Sequence, residues 1–348
     1  MMDKITIRKP DDFHLHLRDS EMLKMVLPYS EQHFSRAVVM PNLKQPVVSL
    51  SDLAKYREQI ISSLRAESDF TPLMTLYLCD DLTTDTIQQA YDLKLVSAIK
   101  LYPAGATTHS QHGVTSVDKV SNKLELMQEL GIPLLIHGEN ACSDVDPFDR
   151  ERVFIDKTLF TIREQFPELK IVLEHITTED AVSFIDSQDA RWTAATITPH
   201  HLLFNRGELF KGGLHPHYYC LPLLKREHHR LRLVKAATSG DSRFFAGTDS
   251  APHPSKAKLS SCGCAGLFNA PFAISTYATI FDKAGQLINL EKFLSLNGAK
   301  FYGLQPNQQE IVLRKLPPEP IRPIYLSDGD HIEVFAPIEQ LEWRVDKC

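Results

Sequence analysis

The sequence lacks the features that mark several large classes of protein. It has six cysteines in 348 residues and no C-x-x-C pair, which argues against a disulfide scaffold and against a zinc ribbon. Its 38 basic residues are outnumbered by 44 acidic ones, giving a net charge of −6, so we expect no broad nucleic-acid surface. No apolar run approaches the roughly 18 residues of a membrane-spanning helix, and no apolar segment follows the basic N-terminus as it would in a signal peptide. These absences predict a cytoplasmic protein that binds neither nucleic acid nor a membrane.

What the chain does contain is an alternation of short apolar runs with amphipathic stretches. In the stretch 116–130, Val120, Leu124 and Met127 fall at spacings of four and three, which is typical of one helical face. Comparable stretches cover 51–65, 149–165 and 178–187. The apolar runs that separate such stretches have the length of strands, and there are eight of them: 13–17, 37–40, 73–78, 98–102, 134–137, 171–175, 194–198 and 244–248.

Alternating strands and helices predict a parallel sheet. Eight such units in about 250 residues match the count and size of a (β/α)₈ barrel of the TIM type, and we predict one α/β domain spanning 1–348. A doubly wound open sheet is the alternative, but the early strands are not followed by a phosphate-binding glycine motif. Residues 303–348 are rich in proline and fall outside the alternation, so we expect a C-terminal extension of the same domain, packed outside the barrel.

Polar residues of metal-ligand type stand within or at the ends of these runs. In a barrel of this kind the C-terminal ends of the strands form the active-site mouth. A single strand-end histidine is more often a hydrogen-bonded structural group, but several that converge on one mouth suit Zn²⁺ or a similar metal. A lysine ammonium cannot ligate a metal, so the lysine among them either faces away or is chemically altered. The six residues are His14, His16, Lys100, His137, His175 and Asp249.

A long segment, 102–115, separates the fourth run from the next helix. It contains Gly105, Gly113 and the adjacent pair Thr107 and Thr108. Loops of this length are often active-site lids. On composition alone, an ordinary surface loop without a function is the equally good alternative.

Eight ordered motifs resemble the amidohydrolase superfamily and, within it, dihydroorotases of the short, single-domain bacterial type. The first, residues 12–19 (DFHLHLRD), is similar to the metal motif of the superfamily. The others are VMPN at 39–42, IKLYPA at 99–104, LIHGE at 135–139, LEHIT at 173–177, TPHHL at 198–202, YCLP at 219–222 and GTDSAPH at 247–253. The resemblance runs from about residue 5 to about residue 303.

The resemblance implies two zinc ions per subunit, held by the six residues named above. His14, His16 and Asp249 would hold one ion, and His137 and His175 the other. Lys100 would bridge both as a carbamate formed with CO₂, together with a hydroxide, which removes the difficulty of a cation beside two metals.

The resemblance also implies the substrate and the reaction. The enzyme would reversibly interconvert N-carbamoyl-L-aspartate and (S)-dihydroorotate plus water, the third step of pyrimidine biosynthesis, with Asp249 transferring the proton. Thr107 and Thr108 of the lid would donate hydrogen bonds, and a homodimer is expected. The implied substrate-binding residues, of which Leu221 and Ala265 would act through backbone groups, are Arg18, Asn42, His137, Leu221, His253 and Ala265.

Arg18 is also predicted from its position. It lies two residues after His16, so strand alternation would point it into the same mouth. Its guanidinium can bind a substrate carboxylate with two hydrogen bonds.

Three alternatives remain open at this point. Another cyclic amidase, such as a dihydropyrimidinase, hydantoinase or allantoinase, is the nearest, but its substrate would not need Arg18, Asn42 and His253 together. A mononuclear deaminase would leave Lys100 without a bridging role. A catalytically inactive relative could lose ligand residues without penalty, yet all six positions are filled.

Overall fold

The computed structural model describes residues 3–346 as thirteen strands and twelve α-helices. The strands are β1 Lys4–Arg8, β2 Asp11–Leu15, β3 Arg36–Val39, β4 Thr71–Leu78, β5 Ala98–Leu101, β6 Leu134–His137, β7 Ile171–Glu174, β8 Thr193–Ile197, β9 Phe244–Ala246, β10 Glu310–Arg314, β11 Ile324–Tyr325, β12 His331–Ile332 and β13 Arg344–Val345. The helices are α1 Ser20–His33, α2 Leu50–Ser63, α3 Thr84–Asp92, α4 Ser121–Leu130, α5 Arg150–Phe154, α6 Phe160–Gln165, α7 Glu179–Asp186, α8 Pro199–Leu203, α9 Glu227–Thr238, α10 Ser255–Lys258, α11 Ala273–Lys283 and α12 Asn297–Phe301.

Eight parallel strands, β2 to β9, lie side by side in chain order and form the barrel. The gap between β9 and β2 is bridged just beyond β9, where Asp249 N donates to His14 O at 2.9 Å and His16 N donates to Ser250 O at 3.1 Å. The eight apolar runs of the sequence correspond to these eight strands, so the predicted barrel is confirmed and the doubly wound alternative is wrong.

The barrel interior has an apolar layer beneath a polar one. Ala98, Leu135 and Val172 belong to a buried apolar cluster separate from the core that the helices cover. Because side chains two residues apart share a face of a strand, the next residues of the same face are Lys100, His137 and Glu174. The polar layer therefore lies at the C-terminal ends of the strands.

Several helices begin at a residue whose side chain caps the first turn. Ser49 and Asp52 form a capping box at the start of α2, and the Thr178 side chain accepts from Ala181 N at the start of α7. The stretch predicted at 149–165 is one helical segment, in which a π-turn, Ile155–Leu159, joins α5 to α6.

The C-terminal extension packs outside the barrel, as predicted. Its strand β10 pairs with both β1 and β13 in an antiparallel three-stranded sheet, and β11 pairs with β12. Phe335 joins a small apolar cluster with Phe204 and Cys220 near the barrel mouth. Within residues 3–346, no helix is both long enough and apolar enough to cross a bilayer.

Candidate active site

The six predicted ligand residues are brought together at the C-terminal ends of the barrel strands, and all six are buried. His14, Lys100 and His137 lie on strands β2, β5 and β6, whereas His16, His175 and Asp249 lie just beyond strand ends. His175 and Asp249 have φ angles of 41° and 45°. Such left-handed conformations are costly for residues with a side chain and cluster at functional sites. The chain thus turns sharply out of the sheet at two of the six positions.

His14, His16 and Asp249 form one group of ligand atoms. The Nε2 atoms of His14 and His16 are 3.2 Å apart, and Asp249 Oδ1 lies 3.4 Å from the first and 3.1 Å from the second. Burial lowers the pKa of His16 to about 3, although its hydrogen bond to Asp249 opposes the shift. The His16 ring is therefore neutral at physiological pH, which is the form that binds metals.

His137 and His175 form the second group. His137 Nδ1 lies 3.2 Å from His175 Nε2, and the ring centroids of His14 and His175 are 4.9 Å apart. Burial, followed by the neighbouring rings of His137 and His14, holds the pKa of His175 well below its ordinary value. The two groups are thus adjacent, and His14, His175 and Asp249 together offer three ligand atoms within 4.8 Å of one another.

Two glutamates orient the histidine rings, and our sequence reasoning did not identify either. His14 Nδ1 lies 2.7 Å from Glu174 Oε2, and His137 Nε2 lies 2.8 Å from Glu139 Oε2. A carboxylate accepts hydrogen bonds, so the ring nitrogen that faces it carries the proton and the other ring nitrogen keeps its lone pair. In both rings that lone pair faces the other predicted ligand residues.

Lys100 lies in the polar layer of the barrel rather than facing away. The residue is fully buried, and its Nζ has no hydrogen-bond partner among residues 3–346. Burial lowers the pKa of Lys100 to about 8, against the opposing charges of Glu174 and Asp249. A buried amine without a hydrogen-bond partner in the described part of the chain, in the same layer as His137 and Glu174, fits a centre that is completed by another group. The donor set therefore fits a divalent metal.

Arg18 reaches the same cleft, but not for the reason the sequence suggested. Because β2 ends at Leu15, strand alternation does not extend to Arg18, whose φ is 59°. Its Nε donates to Pro252 O at 3.0 Å and its Nη2 lies 2.9 Å from His253 Nε2. The strand-parity argument was wrong, although the side chain lines the cleft.

Of the remaining predicted substrate residues, Asn42, Leu221 and Ala265 line the same opening, whereas His253 does not line it but contacts Arg18 and Ala265, which do. His253 Nε2 lies 3.0 Å from Ala265 O, and Asn42 Nδ2 donates to Thr108 O at 3.3 Å. The residues that line the cleft are His14, His16, Arg18, Asn42, Tyr102, Thr107, Thr108, His137, His175, Leu221, Asp249, Ala251, Ala265 and Gly266.

The predicted lid segment, 102–115, has internal order. Val114 N donates to Tyr102 O at 2.8 Å. The buried Ser110 hydroxyl donates to Thr107 O at 2.6 Å and accepts from Thr107 N at 2.9 Å. These bonds hold Thr107 and Thr108 at the cleft.

Comparisons with known proteins show the family to which the chain belongs. Residues 11–308 match the model of the amidohydrolase family. A dihydroorotase from Ruegeria pomeroyi is 50% identical over 348 residues, which is 100% of both chains. Two solved dihydroorotases share the fold with TM-scores of 0.89. The one from Campylobacter jejuni is 34% identical over 100% of this chain and 99% of that one. The one from Saccharomyces cerevisiae, in complex with 5-fluoroorotic acid, is 32% identical over 99% of each chain.

The amidohydrolase family implies a metal cofactor, and the site offers groups of residues suited to hold one. The match to this relative spans the whole chain, including the tail. The chain therefore belongs to the amidohydrolase family and, within it, to the dihydroorotases, which hydrolyse cyclic amides.

Proposed function

We propose that this enzyme reversibly converts (S)-dihydroorotate and water to N-carbamoyl-L-aspartate, the third step of pyrimidine biosynthesis. The observation that carries the proposal is a single cleft lined both by ligand-type groups such as His14 and Asp249 and by Arg18, whose guanidinium is suited to bind a carboxylate. A cyclic amide that bears a carboxylate matches both halves of that cleft. We also propose, from the resemblance, that the enzyme acts in the cytoplasm as a homodimer.

The proposed cofactor is a pair of zinc ions. His14, His16 and Asp249 would hold one, and His137 and His175 the other, with Glu174 and Glu139 fixing two of the rings through the hydrogen bonds described above. The chemistry that zinc supplies when bound is polarisation of the ring carbonyl and activation of water at neutral pH.

Lys100 is proposed to be carboxylated on Nζ. The neutral amine adds to CO₂, an N–C bond forms and one proton leaves, so the neutral amine becomes an anion with two ligand oxygens. The buried Nζ supports this proposal, because no hydrogen-bond acceptor within residues 3–346 holds it as an ammonium. The carbamate would join the two halves of the ligand set.

Asp249 is proposed to move the proton. Its carboxylate would accept a proton from the attacking water and deliver it to the ring nitrogen as the amide C–N bond breaks. Asp249 Oδ1 lies 3.4 Å from His14 Nε2 and 3.1 Å from His16 Nε2, so the carboxylate lies within the proposed ligand set. General acid–base help of this kind is typically worth ~10²–10⁴-fold in rate.

Arg18 is proposed to select the substrate. Its Nε is fixed by Pro252 O and its Nη2 contacts His253, so the planar guanidinium is held in one orientation. A substrate carboxylate would bind this group with charge-assisted hydrogen bonds, with Asn42 and His253 beside it. Uncharged ring amides such as dihydrouracil would leave the same groups without a partner.

The test is to measure hydrolysis of dihydroorotate, dihydrouracil, hydantoin and allantoin by the purified protein, with zinc content determined in parallel. We expect dihydroorotate to be turned over with the highest kcat/KM by zinc-loaded protein. Preferential turnover of an uncharged ring would favour another cyclic amidase. A zinc-loaded protein without activity on any of the four would favour a catalytically inactive relative.

A further inference from the structure

Two loops border the cleft with backbone amides that are available as donors. Leu221 and Ala265 both line the cleft, and within residues 3–346 neither backbone N–H has a hydrogen-bond acceptor. Buried or semi-buried N–H groups are nearly always paired in folded proteins. Free donors that border a cleft are therefore suited to bind the oxygen atoms of a substrate, provided that the two loops carrying them are held in place.

A buried lysine connects those two loops from behind. Lys258 is the last residue of α10 and is 7% exposed. Its Nζ donates to Tyr219 O at 2.9 Å, Cys264 O at 3.2 Å and Gly266 O at 2.6 Å. These bonds use all three protons of the ammonium. The carbonyl groups flank Leu221 on one loop and Ala265 on the other.

Other contacts join the same two loops next to Lys258, and the two loops together form one wall of the cleft. Gly266 N also donates to Tyr219 O at 3.0 Å, so the loops meet at the carbonyl that Lys258 holds. On the far side of Leu221, the carbonyl of Pro222 lies 3.0 Å from His201 Nε2. Gly266 has a φ of 144°, and a Cβ there would lie 2.6 Å from Ala251 O. The second loop is thus pressed against the segment that follows β9.

We propose that Lys258 is a positioning residue for substrate binding, which ties the Tyr219–Leu221 loop to the Cys264–Gly266 loop so that the free amides of Leu221 and Ala265 face the substrate. Lys258 itself does not line the cleft. The identity of the substrate in this inference rests on the proposed function. The claim that Lys258 keeps the two loops ordered rests on the hydrogen bonds alone.

The first test compares Lys258→Met with Lys256→Met, an exposed lysine on the same short helix. We expect Lys258→Met to raise KM for dihydroorotate about tenfold or more, the factor for losing one good backbone hydrogen bond to substrate. We expect kcat within about threefold of the wild type and unchanged zinc content, because the ligand groups are not touched. Lys256→Met should leave KM unchanged. A folded Lys258→Met protein with KM within about twofold of the wild type would overturn the proposal.

The second test uses chemical rescue. Lys258 also lines a cavity of about 360 Å³ behind the wall, through which a small amine can reach the space vacated in Lys258→Ala. Propylammonium should lower the raised KM of Lys258→Ala, whereas propan-1-ol at the same concentration should not. Equal effects of the amine and the alcohol would show that only volume matters and would refute the role of the ammonium.

The third test needs no substrate. Hydrogen exchange of Lys258→Met should increase in peptides covering 219–222 and 264–266, and should match Lys256→Met elsewhere. Unchanged or uniformly increased exchange would overturn the positioning role. If the wild type does not turn over dihydroorotate, the proposed function fails, and the exchange pattern still decides the claim about Lys258. If Lys258→Met does not fold, Lys258→Gln, which keeps two donors, should show a smaller local increase in exchange.

Discussion

Replacing Arg18 by methionine tests the substrate side of the site. The change removes the guanidinium that contacts Pro252 O and His253, and it leaves every residue of the proposed ligand set in place. A charge-assisted pair in a closed site contributes about 1.5–3 kcal/mol. We therefore expect kcat/KM for dihydroorotate to fall roughly 10- to 150-fold, mostly through KM, with normal zinc content.

The most informative assay compares the wild type with Arg18→Met on two substrates, dihydroorotate and dihydrouracil. If Arg18 binds the carboxylate, the variant should lose activity on dihydroorotate but not on dihydrouracil, which has no carboxylate to bind. Arg18→Lys should not restore binding, since a lysine lacks the planar fork. Arg191→Met is the matched control, because Arg191 is an exposed arginine paired with Asp189.

Two results would refute this reasoning. An unchanged KM for dihydroorotate in both Arg18 variants would remove Arg18 from the substrate site. An equal loss on dihydroorotate and dihydrouracil would assign Arg18 a structural role at the loop that carries Pro252 and His253.

Three further variants test other parts of the site. Asp249→Ala should lower kcat at least ~10²-fold at every pH, and retention of more than about a tenth of the wild-type kcat would contradict its role in proton transfer. Glu174→Gln should weaken zinc binding about 10- to 100-fold in competition with a chelator, because the amide no longer fixes the His14 tautomer; an unchanged affinity would contradict that role. Thr107→Ala with Thr108→Val should lower kcat at normal zinc content, and the segment 102–115 should gain hydrogen-exchange protection when substrate binds. Equal protection with and without substrate would count against a lid.

The sequence predicted the barrel because its strands are buried on both faces. Strands of this kind appear as continuous apolar runs of strand length, and all eight were found with boundaries within a few residues. Ligand-type residues at the ends of those runs then indicated the mouth, since the topology places all C-terminal ends at one side.

The sequence could not show features that depend on backbone turns and side-chain direction. Arg18 reaches the cleft through a left-handed turn, which no spacing rule predicts. Glu174 and Glu139 were passed over because an acid beside a strand-end histidine can point to either face. The local signal was present, however, in the strings LEHIT and LIHGE, where each acid lies within two residues of a histidine.

Contacts between residues far apart in the sequence could not be predicted either. The pairing of β1 with β10 joins the two ends of the chain and leaves no local pattern. Lys258 lies in the polar segment SKAKLSS, whose composition is typical of a solvent-exposed helix. Its burial arises only when the loops at 219 and 264 fold over it.

The metal content of the wild type and of Lys100→Ala tests the central claim most directly. Lys123→Met serves as a control, because Lys123 is also buried but donates to Cys79 O and Asp80 O, away from the ligand set. Inductively coupled plasma mass spectrometry should find two zinc ions per chain in the wild type and in Lys123→Met. The folded Lys100→Ala protein should have lost the metal pair. One zinc per chain in the wild type, or two retained in Lys100→Ala, would contradict a binuclear centre joined by carboxylated Lys100.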